Sequence, residues 1–299
     1  MRKHCILIAF ALTALGCFAQ PKASTPQKIV SADNGLMCPV WSPDGKLFAF
    51  TSDNFFGLWV ANADGKNVVR LSDENGVGYK YLWDTTGESL IVRTSKLVEG
   101  RVFHELKTIN VASLSTNTIV PLQRNLSTPS LCNDGMIATS RSQVVNIKGV
   151  KEERQLDAYS IMVAAPFDAT SMLAEFADYS DKPIINPALS PDGKQIAFQI
   201  AGKGLFVCNA DGTKLKNIGR GSYPVWTADS RYVIAAQVKD NGEVITSSEL
   251  VAISPETTAS KVVLSIEGMI PLTTSVSPDG SRLLFENAAD GCIYITNLK

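Results

Sequence analysis

Trp41-Ser42-Pro43-Asp44-Gly45-Lys46-Leu47-Phe48-Ala49-Phe50 decides the fold, because its central tetrapeptide returns as Ser190-Pro191-Asp192-Gly193 and as Ser277-Pro278-Asp279-Gly280. A short apolar run follows each copy. In such a turn the proline presets φ, the aspartate bonds its local backbone, and the glycine takes the left-handed conformation that closes a hairpin. Degenerate copies occur at Trp83-Asp84-Thr85-Thr86-Gly87, Leu131-Cys132-Asn133-Asp134-Gly135 and Trp226-Thr227-Ala228-Asp229-Ser230. The six anchors fall at 45, 87, 135, 193, 230 and 280, which is the spacing of propeller blades rather than of helical repeats.

Each repeat has the same internal order. A first strand precedes the turn, as in Pro39-Val40-Trp41, Tyr81-Leu82-Trp83 and Pro224-Val225-Trp226. The second strand forms two columns, Phe48, Leu90, Ile196, Val233 and Leu283, then Phe50, Val92, Phe198, Ala235 and Phe285. Runs apolar on both faces belong to strands buried between packed sheets. Third strands read Leu58-Trp59-Val60, Leu205-Phe206-Val207, Leu250-Val251-Ala252-Ile253 and Ile293-Tyr294-Ile295, and fourth strands Val68 to Leu71 and Lys261 to Leu264. The last repeat stops after three strands. Its fourth is expected from the N-terminal end, where Lys28 to Gly35 resembles Val69 to Gly76, so that the ring closes without an open sheet edge. The expected fold is all-β, a six-bladed β-propeller of four-stranded antiparallel blades spanning 28–299.

The order Trp-Ser-Pro-Asp-Gly-Lys, an Ile-Ala-Phe-like strand, an aromatic strand and then Asp-Gly (Asp64-Gly65, Asp211-Gly212) resembles the WD-like propeller repeat of the TolB family. The resemblance covers nearly all of 28–299 and is weakest in blade three. It implies a propeller of the cell envelope that binds a protein partner. TolB also carries an α/β domain before its propeller, and only a short stretch precedes the first strand here, so functions resting on that domain do not transfer.

Residues 1–19 read as a signal peptide: Arg2 and Lys3, an apolar core from Cys5 to Leu15, then small residues, followed by a linker over 20–27. The core is too short to span a bilayer, and the protein is expected to be periplasmic or secreted and not membrane-spanning. Cleavage after Ala19 competes with a lipoprotein reading in which Cys17, in Ala14-Leu15-Gly16-Cys17, is lipidated. A net charge of −1 gives no field for nucleic acid. Cys38, Cys132, Cys208 and Cys292 read as free thiols, with Cys38–Cys292 or Cys132–Cys208 bridges left open.

Catalytic signals are sparse. His104 is the single histidine after the signal segment, no Gly-x-Ser-x-Gly elbow occurs, and no spacing marks a metal site. The chain is therefore expected to be a monomer without cofactor or metal, and not an enzyme. Asp44, Asp192, Asp211 and Asp279 repeat at one position and read as turn stabilisers, and Trp41, Trp83 and Trp226 as packing between blades.

In a four-stranded blade the second-to-third and blade-to-blade loops share one face of the ring. That face collects what varies: Asp53, Asn54, Phe55 and Phe56, the connection Lys96 to Glu105 with Arg101 and His104, Tyr79, Tyr223, and an insertion expected over Ser142 to Leu156 in blade three. Variable loops on a rigid scaffold are where binding is placed, with Phe55 and Phe56 as the apolar anchors. The expected function is a scaffold binding an envelope protein through these residues. The alternatives are a saccharide- or ion-binding propeller or a propeller enzyme with its site in the channel, and an accessory subunit docking through blade three.

Overall fold

The repeated turn is held by its own side chains. Ser42 Oγ donates to Asp44 Oδ1 at 2.8 Å while that oxygen accepts from Lys46 N at 3.1 Å, and Ser190 with Asp192 and Thr227 with Asp229 repeat the arrangement. The Ser42 hydroxyl and the Lys46 amide hold the Asp44 carboxyl down at about 2. Gly45, Gly193 and Gly280 all adopt left-handed φ, between 68° and 73°. These aspartates are structural.

A computed structural model describes residues 20–132 and 134–299, and its strands form six four-stranded sheets. After β1 (Gln27–Val30), blade one is β2 (Leu36–Trp41), β3 (Leu47–Ser52), β4 (Leu58–Asn62) and β5 (Val69–Ser72). Blade two is β6 (Leu82–Trp83), β7 (Ser89–Val98), β8 (Arg101–Asn110) and β9 (Thr116–Gln123). Blade three is short: β10 (Ser130–Leu131), β11 (Ile137–Ala138), β12 (Gln143–Val145) and β13 (Lys151–Glu153). Helices α1 (Ala158–Ala164) and α2 (Ala169–Met172) follow, then blade four with β14 (Ile184–Leu189), β15 (Gln195–Ile200), β16 (Gly204–Asn209) and β17 (Lys216–Gly219). Blade five is β18 (Ser222–Trp226), β19 (Val233–Asp240), β20 (Ile245–Ile253) and β21 (Ser260–Leu264). Blade six joins β22 (Pro271–Val276), β23 (Arg282–Asn287) and β24 (Cys292–Asn297) to β1.

The ring closes as the repeat order requires. β1 pairs antiparallel with β24, Gln27 opposite Ile295 and Lys28 opposite Tyr294. The chain before β1 is also tied down: Lys22 and Lys299 exchange backbone hydrogen bonds of 2.8 and 2.9 Å, and Ala23 N donates to Val263 O of blade five at 3.0 Å. The core lies between neighbouring blades. Val30, Trp41, Phe48, Phe50, Leu284 and Ile293 form one such layer, joining blades six and one.

Each recurrent tryptophan reaches to the blade before it. Trp41 Nε1 donates to Ser275 O (3.1 Å), Trp83 Nε1 to Val40 O (3.1 Å) and Trp226 Nε1 to Ala188 O (2.9 Å). The indole fills the space between blades and its N–H satisfies a first-strand carbonyl.

Two expectations need correction. Ser142 to Leu156 is not an insertion, because Gln143–Val145 and Lys151–Glu153 are the third and fourth strands of blade three. Deleting it would remove half of that blade. The extra chain lies just after, in α1, α2 and the 3-10 segment Ala174–Tyr179, whose Ala158, Ile161, Met162, Ala169 and Phe176 are buried with Ile196, Phe198 and Phe206 of blade four. Nor is Lys96 to Glu105 a loop: β7 and β8 pair continuously to Val98 and Arg101, leaving Glu99 and Gly100 as the turn. The proposals for residues 1–19, including cleavage and lipidation at Cys17, lie outside the described residues.

Candidate functional site

The first strands line the central channel, and in five of the six blades the chain there is broken at one place. Cys38, Lys80, Asn186 and Tyr223 all have left-handed φ, between 50° and 54°, three residues before Trp41, Trp83, Leu189 and Trp226 respectively. Pairing slips across Met37/Val40, Ile185/Ala188 and Ser222/Val225, with an equivalent slip at Pro271/Thr274 in blade six. Such a backbone costs on the order of 1–3 kcal/mol per residue and persists only where its surroundings hold it. Proline follows in three of the four, removing the donor that a regular ladder would need.

These bulges turn backbone amides away from their own ladder, and the preceding blade receives them. Cys38 N donates to Glu286 Oε2 at 2.7 Å and to Thr273 Oγ1 at 3.1 Å, and the Thr273 hydroxyl donates to the same carboxyl oxygen. Tyr223 N donates to Gln199 Oε1 at 3.1 Å, which also accepts from Asn186 Nδ2 at 3.0 Å. The Tyr81 hydroxyl donates to the Cys38 carbonyl. Glu286 and Gln199 occupy one repeat position, the residue after Phe285 and Phe198, where blades one, two and five place Thr51, Arg93 and Ala236.

Between these groups lies a cavity of about 670 Å³. Its wall includes Cys38, Lys80, Tyr159, Asn186, Tyr223, Thr274 and Glu286, with Phe55 and Tyr79 at the rim. Phe55 and Tyr79 meet edge to face, with ring centroids 4.9 Å apart. Burial pushes the Glu286 carboxyl up, and the Asp53 charge adds to this against the hydrogen bonds from Thr273 and Cys38. Burial also pushes the Cys38 thiol up to about 12, which leaves it a poor nucleophile at neutral pH. Lys80 is pushed down, first by burial and then by the Arg93 cation.

Because folding raises the Glu286 pKa above 4.5, the stability tied to this group is complete below that value and is lost as pH rises through the raised one. Glu286→Gln keeps an acceptor for Cys38 N and Thr273 and removes the charge. Its melting temperature should therefore exceed wild type by roughly 2–4 °C at about pH 8 and match it at about pH 4. A lower value at the higher pH would contradict this assignment.

Of the residues expected from sequence, Phe55, Tyr79 and Tyr223 come together at the cavity. Asp53 and Asn54 are exposed beside it, and Phe56 is exposed outside the cavity wall. Arg101 and His104 are placed apart, on β8. His104 is half-buried within the hairpin, its Nδ1 2.9 Å from Ser95 Oγ, and burial lowers its pKa. Glu105 is taken up by Lys96 and Lys107, at 3.0 and 2.9 Å, and does not orient this pair. Sequence reading missed Glu286, Gln199 and Lys80. For Glu286 and Gln199 the signal was a charged or amide side chain directly after the second apolar column.

Cys38, Cys132, Cys208 and Cys292 are free thiols. No helix among the described residues is long and apolar enough to cross a membrane.

No family model and no curated protein matches this chain. Solved structures do. XC5397 from Xanthomonas campestris, described as a gluconolactonase, is 10% identical over 95% of this chain and 96% of its own, with a TM-score of 0.58. A putative TolB from Agrobacterium tumefaciens is 15% identical over 93% of this chain and 99% of its own, with a TM-score of 0.53. TolB from Acinetobacter baumannii is 11% identical over 91% of this chain, TM-score 0.38, and this chain spans 57% of its length.

At these identities the likeness is one of fold. It corrects the expectation that the chain is not an enzyme, because the ring shared with XC5397 is the frame of an enzyme, and a single histidine without an elbow motif does not set a propeller apart from catalysis. The fold of this chain is that of the TolB-like six-bladed β-propellers.

Proposed function

We propose that this protein is an exported propeller that docks a protein partner in the cell envelope on the face of its ring that carries the variable loops. The observation that supports this reading is a set of large apolar side chains exposed on that face: Phe56 (49% exposed), Leu97 (74%), Val102 (53%), Phe167 (76%) and Val244 (62%). Singly such residues are ordinary. Carried on connections of one face of the ring, they are of the kind that marks an interaction surface. The export reading rests on the charged and apolar pattern of residues 1–19.

The long β7–β8 and β19–β20 hairpins carry three of the five side chains on paired strands or at their tips, so the surface is presented by rigid elements. A pull-down from native envelopes tests this. The mature wild-type chain should retain a stoichiometric protein partner that a Phe56→Ser, Leu97→Ser double variant of unchanged melting temperature loses; equal retention by both would sink the reading.

A second reading, a propeller whose channel binds or converts a small ligand, is supported by the cavity beside Glu286. It would take the lead if purified protein turned over a substrate without any partner.

A further inference from the structure

Lys80 stands in the wall of the channel cavity with no carboxylate and no hydrogen-bond acceptor within reach among the described residues. Its ammonium lies 5.8 Å from the centre of the Tyr79 ring, and the Arg93 guanidinium lies 5.8 Å from the same centre. Among the described residues Arg93 has no carboxylate partner either; it donates to the Leu126 carbonyl at 2.9 Å. Two cations thus share one side of the channel mouth without a counter-charge. A partly buried cation of this kind favours an anion in the adjoining cavity.

Two further polar groups stand in the same wall. The Glu286 carboxyl faces the same cavity and accepts from Cys38 N and from the Thr273 hydroxyl at Oε2. Thr274 is only 7% exposed, and its hydroxyl has no hydrogen bond. A buried hydroxyl left unpaired costs about 1–3 kcal/mol, and a ligand with neutral polar atoms would remove that cost. Tyr79 and Tyr223 add aromatic faces for the carbon skeleton between the polar ends.

We propose that the channel mouth binds a small organic carboxylate bearing hydroxyl groups, its anion held at Lys80 and its hydroxyls by the Glu286 carboxyl and Thr274 Oγ1. This site is separate from the apolar tips of the docking face and does not depend on a protein partner. Lys80 gives the charge requirement, while Glu286 and the Thr274 hydroxyl set the preference for a hydroxylated chain over a simple fatty acid.

Calorimetry on the mature full chain tests it with lactate, tartrate, citrate and gluconate as probes, and with sorbitol as the uncharged control. At least one hydroxy acid is expected to bind and sorbitol is not. Lys80→Met should weaken that binding at least tenfold and Lys80→Arg should restore most of it, with Lys80→Gln read instead if the methionine variant does not fold. Binding of sorbitol as tight as that of the acids, binding indifferent to Lys80, or no binding of any of the four acids to folded wild type would each overturn the proposal.

Discussion

Deleting residues 20–30 should leave a chain that no longer folds as a soluble monomer. The deletion removes the strand that pairs with Tyr294 and Ile295, the exchange between Lys22 and Lys299, the buried side chain of Val30 with Ile29 beside it, and Ala23 from the layer between blades five and six. Burial of one aliphatic side chain is worth about 1.5–3 kcal/mol, so losing this group together with its ladder approaches the whole stability of a typical domain, about 5–15 kcal/mol. It also bares β24 as an open edge, the kind of surface that templates aggregation. Size-exclusion chromatography and thermal melting would read the loss, and a synthetic peptide of residues 20–35 added in trans should recover part of it. A monomeric deletion variant with the wild-type melting temperature would mean that the ring is not closed by this strand.

Phe198→Ala should be the most damaging single substitution in the interior. Phe198 is fully buried between Phe176 of the helical segment, at 5.5 Å, and Phe206 of its own blade, at 6.2 Å. Three stacked rings cannot collapse around the missing one, so the expected cost is about 3–5 kcal/mol. In a domain of this size that lowers the melting temperature by roughly 6–20 °C. Hydrogen exchange should rise chiefly over Ala158 to Tyr179, because Phe176 loses the surface it packs on. A fall under about 3 °C would show that the helical segment is not part of the core.

The propeller was legible in the chain because its turns are chemically stereotyped and repeat six times. Ser42, Asp44 and Gly45 do the same work as Ser190, Asp192 and Gly193, and the closure could be read from the likeness of Lys28–Gly35 to Val69–Gly76. Blade three was harder, since its strands are two or three residues long and have no hydrophobic columns to align. Its neighbouring helix did carry a signal: Asp157 caps α1 by accepting from Ser160 N at 2.7 Å, and Ala158, Ile161, Met162 and Ala165 follow at helical spacing.

The site was legible only at its rim. Phe55, Tyr79 and Tyr223 could be placed because they sit in loops that differ between blades. The channel wall is different in kind. It depends on left-handed residues at Cys38, Lys80, Asn186 and Tyr223, and no side chain type announces that conformation. Glu286 and Gln199 meet residues 248 and 24 positions away in sequence, so only the ring brings them to the amides that they accept from.

Arg101 and His104 illustrate the opposite error. Both were assigned to a loop, yet the ten-residue strands of blade two continue past the blade and carry them out on a hairpin. The length of that hairpin is what exposes Leu97 and Val102. An expectation built on loop chemistry thus becomes one built on strand geometry, and the proposed docking face keeps Phe56 and adds the hairpin tips.

Site-specific photo-crosslinking in native envelopes tests the docking face most directly. A photoreactive residue placed at Phe56, Leu97 or Val244 is compared with one at Leu114 or Val150, exposed side chains on turns of the opposite face. One protein adduct shared by the first three positions and absent from the last two is expected. Adducts of equal yield from both faces, or none from Phe56, Leu97 and Val244, would contradict it.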